Sequence, residues 1–473
     1  MRKLLNHSAL ALIVAASLSA CAVGRDYQTP AKVADISFSS PYQQAGQAQS
    51  WWQAFDDAAL NQLIERALQE NRTLAQAKAN VDRAYAVFRD ANNDVLPNGS
   101  VDAGYQASEN GSVSPLDDGV ISRGYSTGAN LSWDLDLFGK IRRATEAAEA
   151  QAQQADILWH DAQVQLISQV ATSYGEYRGA QLRLVVAEQN LQNLTQSRDI
   201  VLARLEAGMA SELELAQIDV QLHQVQAAVP AYRVALLTAD ATLSALLAQQ
   251  PGKLRLGAVP HLPELKQPVA VVAGENYLRY RADVASSERL LAARTAEIGV
   301  ATADLYPNLS VRGFLGFISG PGLALNGDTQ SWAVAPTLSW QAADLGSVKA
   351  RIRQAEASSQ MALAQFEQQV FNAINEMQLS LQSYNLSREQ QLSTELQWQA
   401  SNKAVQIARQ RYNAGSGEFL DLLDAERELL RSRDQLAQLQ QQSFVRLVGI
   451  YRSFGGGIQL MVSVTRTPHS PFS

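Results

Sequence analysis

Three different motifs occur twice in this chain, in the same order, and that duplication constrains the fold more than any other feature. "LPNGSVDAGYQ" from Leu96 returns as "YPNLSVRGFLG" from Tyr306, and "LSWDLDLFGKIRRATEAAEA" from Leu131 returns as "LSWQAADLGSVKARIRQAEA" from Leu338. "RLEAGMASELEL" from Arg204 returns as "RYNAGSGEFLDL" from Arg411. The first pair is offset by 210 residues and the other two by 207. Ala-rich helices can mimic one such block by chance, but not three unlike motifs held in order. The chain is read as two copies of a unit of about 200 residues.

Each copy predicts the same series of elements. A helix (about Ala58 to Val95, or Glu275 to Leu305) leads to a turn at Pro97 or Pro307, then to two alternating segments around a polar loop. The first repeat is placed at 58–247, with a hairpin at 98–135, a long helix at 140–206 and a return helix at 210–247. A connecting equatorial segment follows at 248–274. The second repeat is placed at 275–454, with a hairpin at 308–341, a long helix at 347–413, a return helix at 417–454, and then a tail at 455–473. Each long helix holds roughly 67 residues, about 100 Å at 1.5 Å per residue. Ala and Gln dominate these helices, and in the last return helix Leu422, Leu429 and Leu436 recur at the seven-residue spacing of a coiled coil. Pro230 is expected to kink or break the first return helix.

The hairpin tips have readable chemistry. Gly208 and Gly415 suit the left-handed position just past a helix end. Ser211 to Glu214, "SELE", is a capping box for the next helix, and Glu418 and Asp421 take the matching slots in the second copy.

The alternating segments are of membrane-crossing length. Thr127, Ala129, Leu131, Trp133 and Leu135 share one face, while Ser126, Gly128, Asn130, Ser132 and Asp134 share the other. Trp332, Val334, Leu338 and Trp340 keep the same parity in the second copy. About ten residues is what a tilted transmembrane strand needs, and Trp133, Trp332 and Trp340 suit an interfacial aromatic girdle. Phe314 breaks the pattern by falling on the polar side, and Pro336 predicts a bulge or an unpaired edge. A small sheet capping a soluble bundle explains the alternation equally well. If the strands do cross a membrane, four per chain cannot close a barrel, and open edges are not tolerated in hydrocarbon, so several chains must combine.

The N-terminus points to export. Arg2 and Lys3 precede an apolar run from Ser8 to Leu18, so residues 1–20 read as a signal peptide and 21–57 as a lipidated N-terminal segment. Cys21 is the only cysteine, which excludes an intramolecular disulfide. "LSAC" before it resembles a bacterial lipobox, implying acylation of Cys21, and Ala22 after it resembles the outer-membrane type.

Beyond that signal, no run of apolar residues is long enough for a spanning helix. Charged residues make up 18% of the chain and the net charge is −7, which gives no footprint for nucleic acid. The five histidines are scattered, and no HExxH, GxSxG or P-loop motif occurs. No catalytic residue, metal site or cofactor is expected, and the chain is not read as an enzyme.

With these residues laid out, the chain resembles the TolC-like outer-membrane efflux proteins, in particular the lipoprotein, NodT-type branch serving RND-type tripartite pumps. The resemblance is carried by "CAVGRDYQTP", "WWQAF" (Trp51 to Phe55), "LSWDLDLFGKIR", "RYNAGSGEFLDLLDAERELL" and "YRSFGGG". One departure is "RYRADV" (Arg279 to Val284), where the family usually has Arg-Arg-Pro-Asp. The resemblance implies a mixed membrane α/β fold: a homotrimeric, 12-stranded outer-membrane β-barrel, four strands per chain, continued by a long periplasmic α-helical coiled-coil barrel. It implies outer-membrane lipid around the barrel, a periplasmic adaptor (membrane fusion) protein and an inner-membrane RND-type pump as partners, and drug or small-molecule efflux as the activity. By motif position, the periplasmic aperture maps to Leu420, Asp424 and Arg427, and the adaptor-contact tips to Gly208, Ser211, Gly415, Ser416 and Gly417. A type I protein secretion channel and a non-channel structural coiled-coil lipoprotein are the alternatives.

Overall fold

The computed structural model describes residues 22–30, 50–110, 120–257, 262–263, 281–320 and 326–456. In chain order these form α1 (Ala58–Glu70), α2 (Arg72–Asn93), β1 (Asn98–Asn110), β2 (Val120–Leu135), α3 (Lys140–Glu206) and α4 (Glu212–Leu246). The second half gives α5 (Ala282–Ala303), β3 (Asn308–Ser319), β4 (Gln330–Ser339), α6 (Leu345–Asn413) and α7 (Phe419–Ser453). The chain divides into two compact units. One holds 22–30, 80–156 and 286–368, and the other holds 50–79, 157–285 and 369–456, within the described residues.

The first unit is built on one antiparallel sheet in the order β1-β2-β3-β4. Its two hairpins join directly, Trp133 facing Val311 and Gly128 facing Gly316 across β2 and β3. Direct cross-strand partners share a face, so Asp102, Gly128 and Gly316 lie on one side while Val101, Leu131, Trp133, Leu315 and Trp332 lie on the other. The pairing runs through Pro336, opposite Val311, without an inserted residue. Of the two outcomes expected at Pro336 the bulge is not the one formed, and within one chain β4 is paired on one side only, with β3.

Both strand exits are fixed in the same way. Trp133 Nε1 donates to the carbonyl of Val95 at 2.9 Å, and Trp340 Nε1 donates to that of Leu305 at 3.1 Å. Each acceptor lies two residues past a helix end, so these indoles satisfy carbonyls of the turn that leads into the strand. The start of the described chain is strapped to this unit. Val23 N–H donates to Phe138 O at 3.1 Å, and buried Arg143 donates to Asp26 Oδ1 at 2.6 Å and to Glu146 Oε2 at 2.7 Å. Gly24 is required by contact, since a Cβ there would meet Gly299 Cα at 2.6 Å.

The two largest apolar clusters of the second unit set its core. Trp51, Phe55, Leu60 and Ile64 pack with Tyr174 of α3, Leu243 of α4, Met377 of α6 and Phe444 of α7. Tyr174 OH donates to Asp57 Oδ2 at 2.7 Å, and the same carboxylate caps α1 by accepting from the backbone of Ala59 and Leu60. Burial, and after it the Asp57 carboxylate, pushes the Tyr174 phenol well up from its ordinary range against the opposing pull of Arg178. The other cluster joins Leu194 and Val201 of α3, Ile218 of α4, Tyr412 of α6, and Phe419, Leu422 and Leu423 of α7.

Two helices differ from expectation. The helix predicted from Ala58 to Val95 is divided at Asn71, whose side chain accepts from Leu74 N–H at 2.9 Å and donates to Leu246 O at 2.9 Å. An N-cap residue with a tertiary partner outcompetes helix continuation there. Conversely, α4 continues through Pro230. The proline ring is exposed, so the carbonyl that loses its partner is hydrated rather than stranded.

Candidate channel aperture and hairpin tips

The α3–α4 and α6–α7 connections have the same backbone solution. Met209 N–H reaches Arg204 O at 2.8 Å and Gly208 N–H reaches Leu205 O at 2.9 Å. Ser416 N–H reaches Arg411 O at 2.9 Å and Gly415 N–H reaches Tyr412 O at 3.0 Å. This bond pair is the Schellman ending, and it requires a left-handed residue, supplied by Gly208 (φ 70°) and Gly415 (φ 72°). Ser211 then caps α4 through a reciprocal box with Glu214, both bonds 3.3 Å. Glu418 at the start of α7 makes no side-chain cap bond, and Asp421 sits in the first turn. Gly208, Ser211, Gly415 and Ser416 are exposed, while Gly417 is half-buried. A Cβ at Gly417 would come within 2.9 Å of Arg411 Cβ.

The two tips are tied together. Arg204 stacks over the Tyr412 ring at 4.3 Å and donates to the Tyr412 carbonyl, while Tyr412 meets Phe419 at 5.8 Å between ring centres.

Leu420, Asp424 and Arg427 fall at i, i+4 and i+7 on α7, facing away from the buried residues Phe419, Leu422 and Leu423. Leu420 is 54% exposed. The Arg427–Asp424 contact is 3.4 Å with both side chains largely in solvent, so it contributes only tenths of a kcal/mol. Arg427 has a firmer partner on α4. With the Gln221 amide oriented so that its oxygen faces the guanidinium, that oxygen accepts from Arg427 Nε at 2.8 Å and Nη2 at 3.2 Å. The contact lies in a groove of about 670 Å³ lined by Gln221, Val225, Tyr232, Arg427, Arg431 and Asp434.

Two further ties hold α7 in place. Buried Glu426 accepts from Ser197 Oγ of α3 at 2.5 Å and from Arg409 Nη2 of α6 at 3.0 Å. Asp434 receives Arg183 through two bonds of 2.8 and 2.9 Å, and Tyr232 OH at 3.1 Å. The bond to Asp434 holds the Arg183 guanidinium above its ordinary range, and burial, then the Asp434 charge, raises Tyr232. Sequence reading missed Gln221, Glu426 and Asp434. Ser197 and Glu426 lie 229 residues apart, and no local pattern marks such a pair.

Among the other predicted residues, Trp332 is 74% exposed on the apolar sheet face and Trp340 56%. Cys21 lies outside the described residues. Among those described, no group of His, Cys, Asp or Glu has the geometry to hold a metal, and no helix is long and apolar enough to cross a membrane. Neither statement bears on a β-barrel.

The family model described as "Outer membrane efflux protein" matches this chain twice, at 63–249 and again at 274–456, one match for each repeat. The chain belongs to that family. It is 39% identical to the solved outer-membrane channel OprN, with a TM-score of 0.88 over 92% of this chain and 99% of that one. Outer membrane protein OprJ of Pseudomonas aeruginosa is 29% identical over 94% of this chain and 95% of its own length. Cation efflux system protein CusC of Escherichia coli is 30% identical over 95% and 98%. Members of the outer membrane efflux protein family are channels, and the fold is the trimeric TolC-like one. Four strands from each of three chains close an outer-membrane barrel, accompanied by a long periplasmic α-helical barrel. This chain is the outer-membrane channel of a tripartite efflux pump.

Proposed function

We propose that the chain is a passive exit duct for drugs and other small molecules, opened at its periplasmic tips by an adaptor protein and fed by an inner-membrane pump of the RND type. In this reading Leu420 and Asp424, repeated around the trimer axis, form the aperture, and Arg427 restrains them. Three like charges around an axis repel one another and gather cations, so Asp424 needs a restraint. The observation that carries the reading is the exposed Leu420–Asp424 face, held by Arg427 through the α4 residue Gln221. Gly208, Ser211, Gly415, Ser416 and Gly417 are the adaptor-contact surface, Cys21 is the acylated anchor, and Trp133, Trp332 and Trp340 form the girdle.

The test is single-channel recording in planar bilayers. The pair Asp424→Ala with Arg427→Ala should raise conductance severalfold at unchanged trimer yield. Wild-type conductance in the double variant removes these residues from the aperture. Site-specific crosslinking from Ser416 in cells should capture the adaptor. Cargo class follows from deleting the gene and scoring susceptibility to a panel of toxic organic compounds and metal ions.

A further inference from the structure

Phe314 is the one aromatic residue among the described strand positions of the polar sheet face. That face carries Ser100, Asp102, Asn130, Ser132, Asp134 and Arg312, whereas the opposite face is the apolar one. In a closed barrel the apolar face meets lipid and the polar face lines the water-filled lumen. A Phe on the lumen side therefore needs an explanation.

The register supplies it. Gly128 of β2 and Gly316 of β3 face each other directly, and the Phe314 ring lies over both. A Cβ on Gly128 would meet Phe314 Cε2 at 2.7 Å, and one on Gly316 would meet Phe314 Cζ at 3.0 Å. The two glycines form a recess, so the ring lies against the wall with its other face turned to the lumen. An aromatic ring covering strand glycines is a known way of restoring packing that they lack.

The charges near the ring carry both signs: Arg312 lies two residues before it on β3, and Asp102 lies across Gly128 on β1. Asp102 is the direct partner of Gly128 on the other side, so ring and carboxylate flank one glycine. Ser100 Oγ at 2.8 Å and Asn130 Nδ2 at 2.6 Å both donate to Asp102 Oδ2, which fixes the carboxylate in place. The remaining charges of this face, Arg312 and Asp134, are diagonal neighbours of opposite sign. Among the described strand positions the face thus carries two carboxylates and one guanidinium, a net charge of −1 per chain, with Asp102 the carboxylate across Gly128 from the ring.

We propose that Phe314, seated on the Gly128–Gly316 pair beside Asp102, is an aromatic contact site on the channel wall for planar organic cations in transit. The ring face attracts a cation by its quadrupole, and the carboxylate adds charge. Three copies surround the lumen, so cargo passing at this level meets three such sites.

The experiment is equilibrium binding of rhodamine 6G, a planar fluorescent cation, to trimers in lipid nanodiscs, read by anisotropy with empty discs subtracted. Heat-resistant trimer on a gel is the folding check for every variant, and wild-type ion conductance separately checks that the preparation is a channel. Phe314→Ala should weaken binding about two- to fivefold, the worth of one exposed cation–π contact. Phe314→Leu should weaken it as much, Phe314→Trp should keep or tighten it, and Asp102→Asn should weaken it again. Wild-type affinity in either Phe314→Ala or Asp102→Asn overturns the site. Wild-type affinity in Phe314→Leu shows a merely greasy contact and overturns it too. Should Phe314→Ala not form trimers, the leucine and asparagine variants decide.

Discussion

The first and second hairpin tips share a backbone but not a surface. Both end the long helix with a glycine at positive φ and the same pair of carbonyl bonds. On the return helices the matched positions diverge. Leu420 corresponds to Leu213, which is equally outward-facing at 66% exposed, but Asp424 corresponds to Gln217 and Arg427 to Val220. Glu426 corresponds to Asp219, and here the contrast is in burial. Glu426 is shut away between α3, α6 and α7, whereas Asp219 meets Arg198 at 2.5 Å with about a third of each side chain in water. Duplication supplied the hairpin geometry twice. Only the second copy acquired the charged outward face and the buried acid that holds it.

That contrast can be broken experimentally. The largest expected effect is from Glu426→Ala, which strands Arg409 and Ser197 and should cost about 2–4 kcal/mol of trimer stability in thermal unfolding. Asp219→Ala, at the matched site, should cost about 1 kcal/mol or less, because water takes over the lost contact. Equal losses at the two sites would show that the tips are energetically alike. Next in size are the glycines: Gly208→Ala and Gly415→Ala should each cost about 1 kcal/mol, equally, since the strain is backbone strain at positive φ. The smallest difference is at the caps, read by thermal unfolding of the same preparations. Ser211→Ala should lose about 1 kcal/mol with its capping box, and Glu418→Ala a few tenths at most, for want of a cap bond. The contrast is sharpened by writing the second face onto the first. Gln217→Asp with Val220→Arg should leave conductance unchanged if the restraint needs the Gln221 partner as well as the charges.

Sequence reading reached the features that local spacing encodes. Alternation in 126–135 marked the strand faces, and "SELE" marked a cap whose two bonds are both formed. Glycine after each long helix marked the tips. What escaped was set by register and by tertiary partners. Phe314 looked misplaced until β3 was aligned on β2, because only pairing reveals that two glycines lie beneath its ring. Asn71 looked like one more helical residue, yet its bond to Leu246 O, 175 residues away, favours a break. On the face proposed as the aperture, motif position alone singled out Asp424 and Arg427. Their weak contact and the stronger tie to Gln221 were not legible, since α4 and α7 come from different repeats.

The β1-β2-β3-β4 order also carries a genetic consequence. Each chain presents β1 and β4 as unpaired rims, and every joint between protomers couples the β4 rim of one to the β1 rim of the next. A variant that spoils the β4 rim is therefore not merely inactive. Expressed in equal amount with the normal chain, it would leave about one trimer in eight composed of normal chains alone. Loss-of-function alleles that disturb this strand should behave as dominant poisons of efflux, whereas alleles that unfold the whole chain should be recessive.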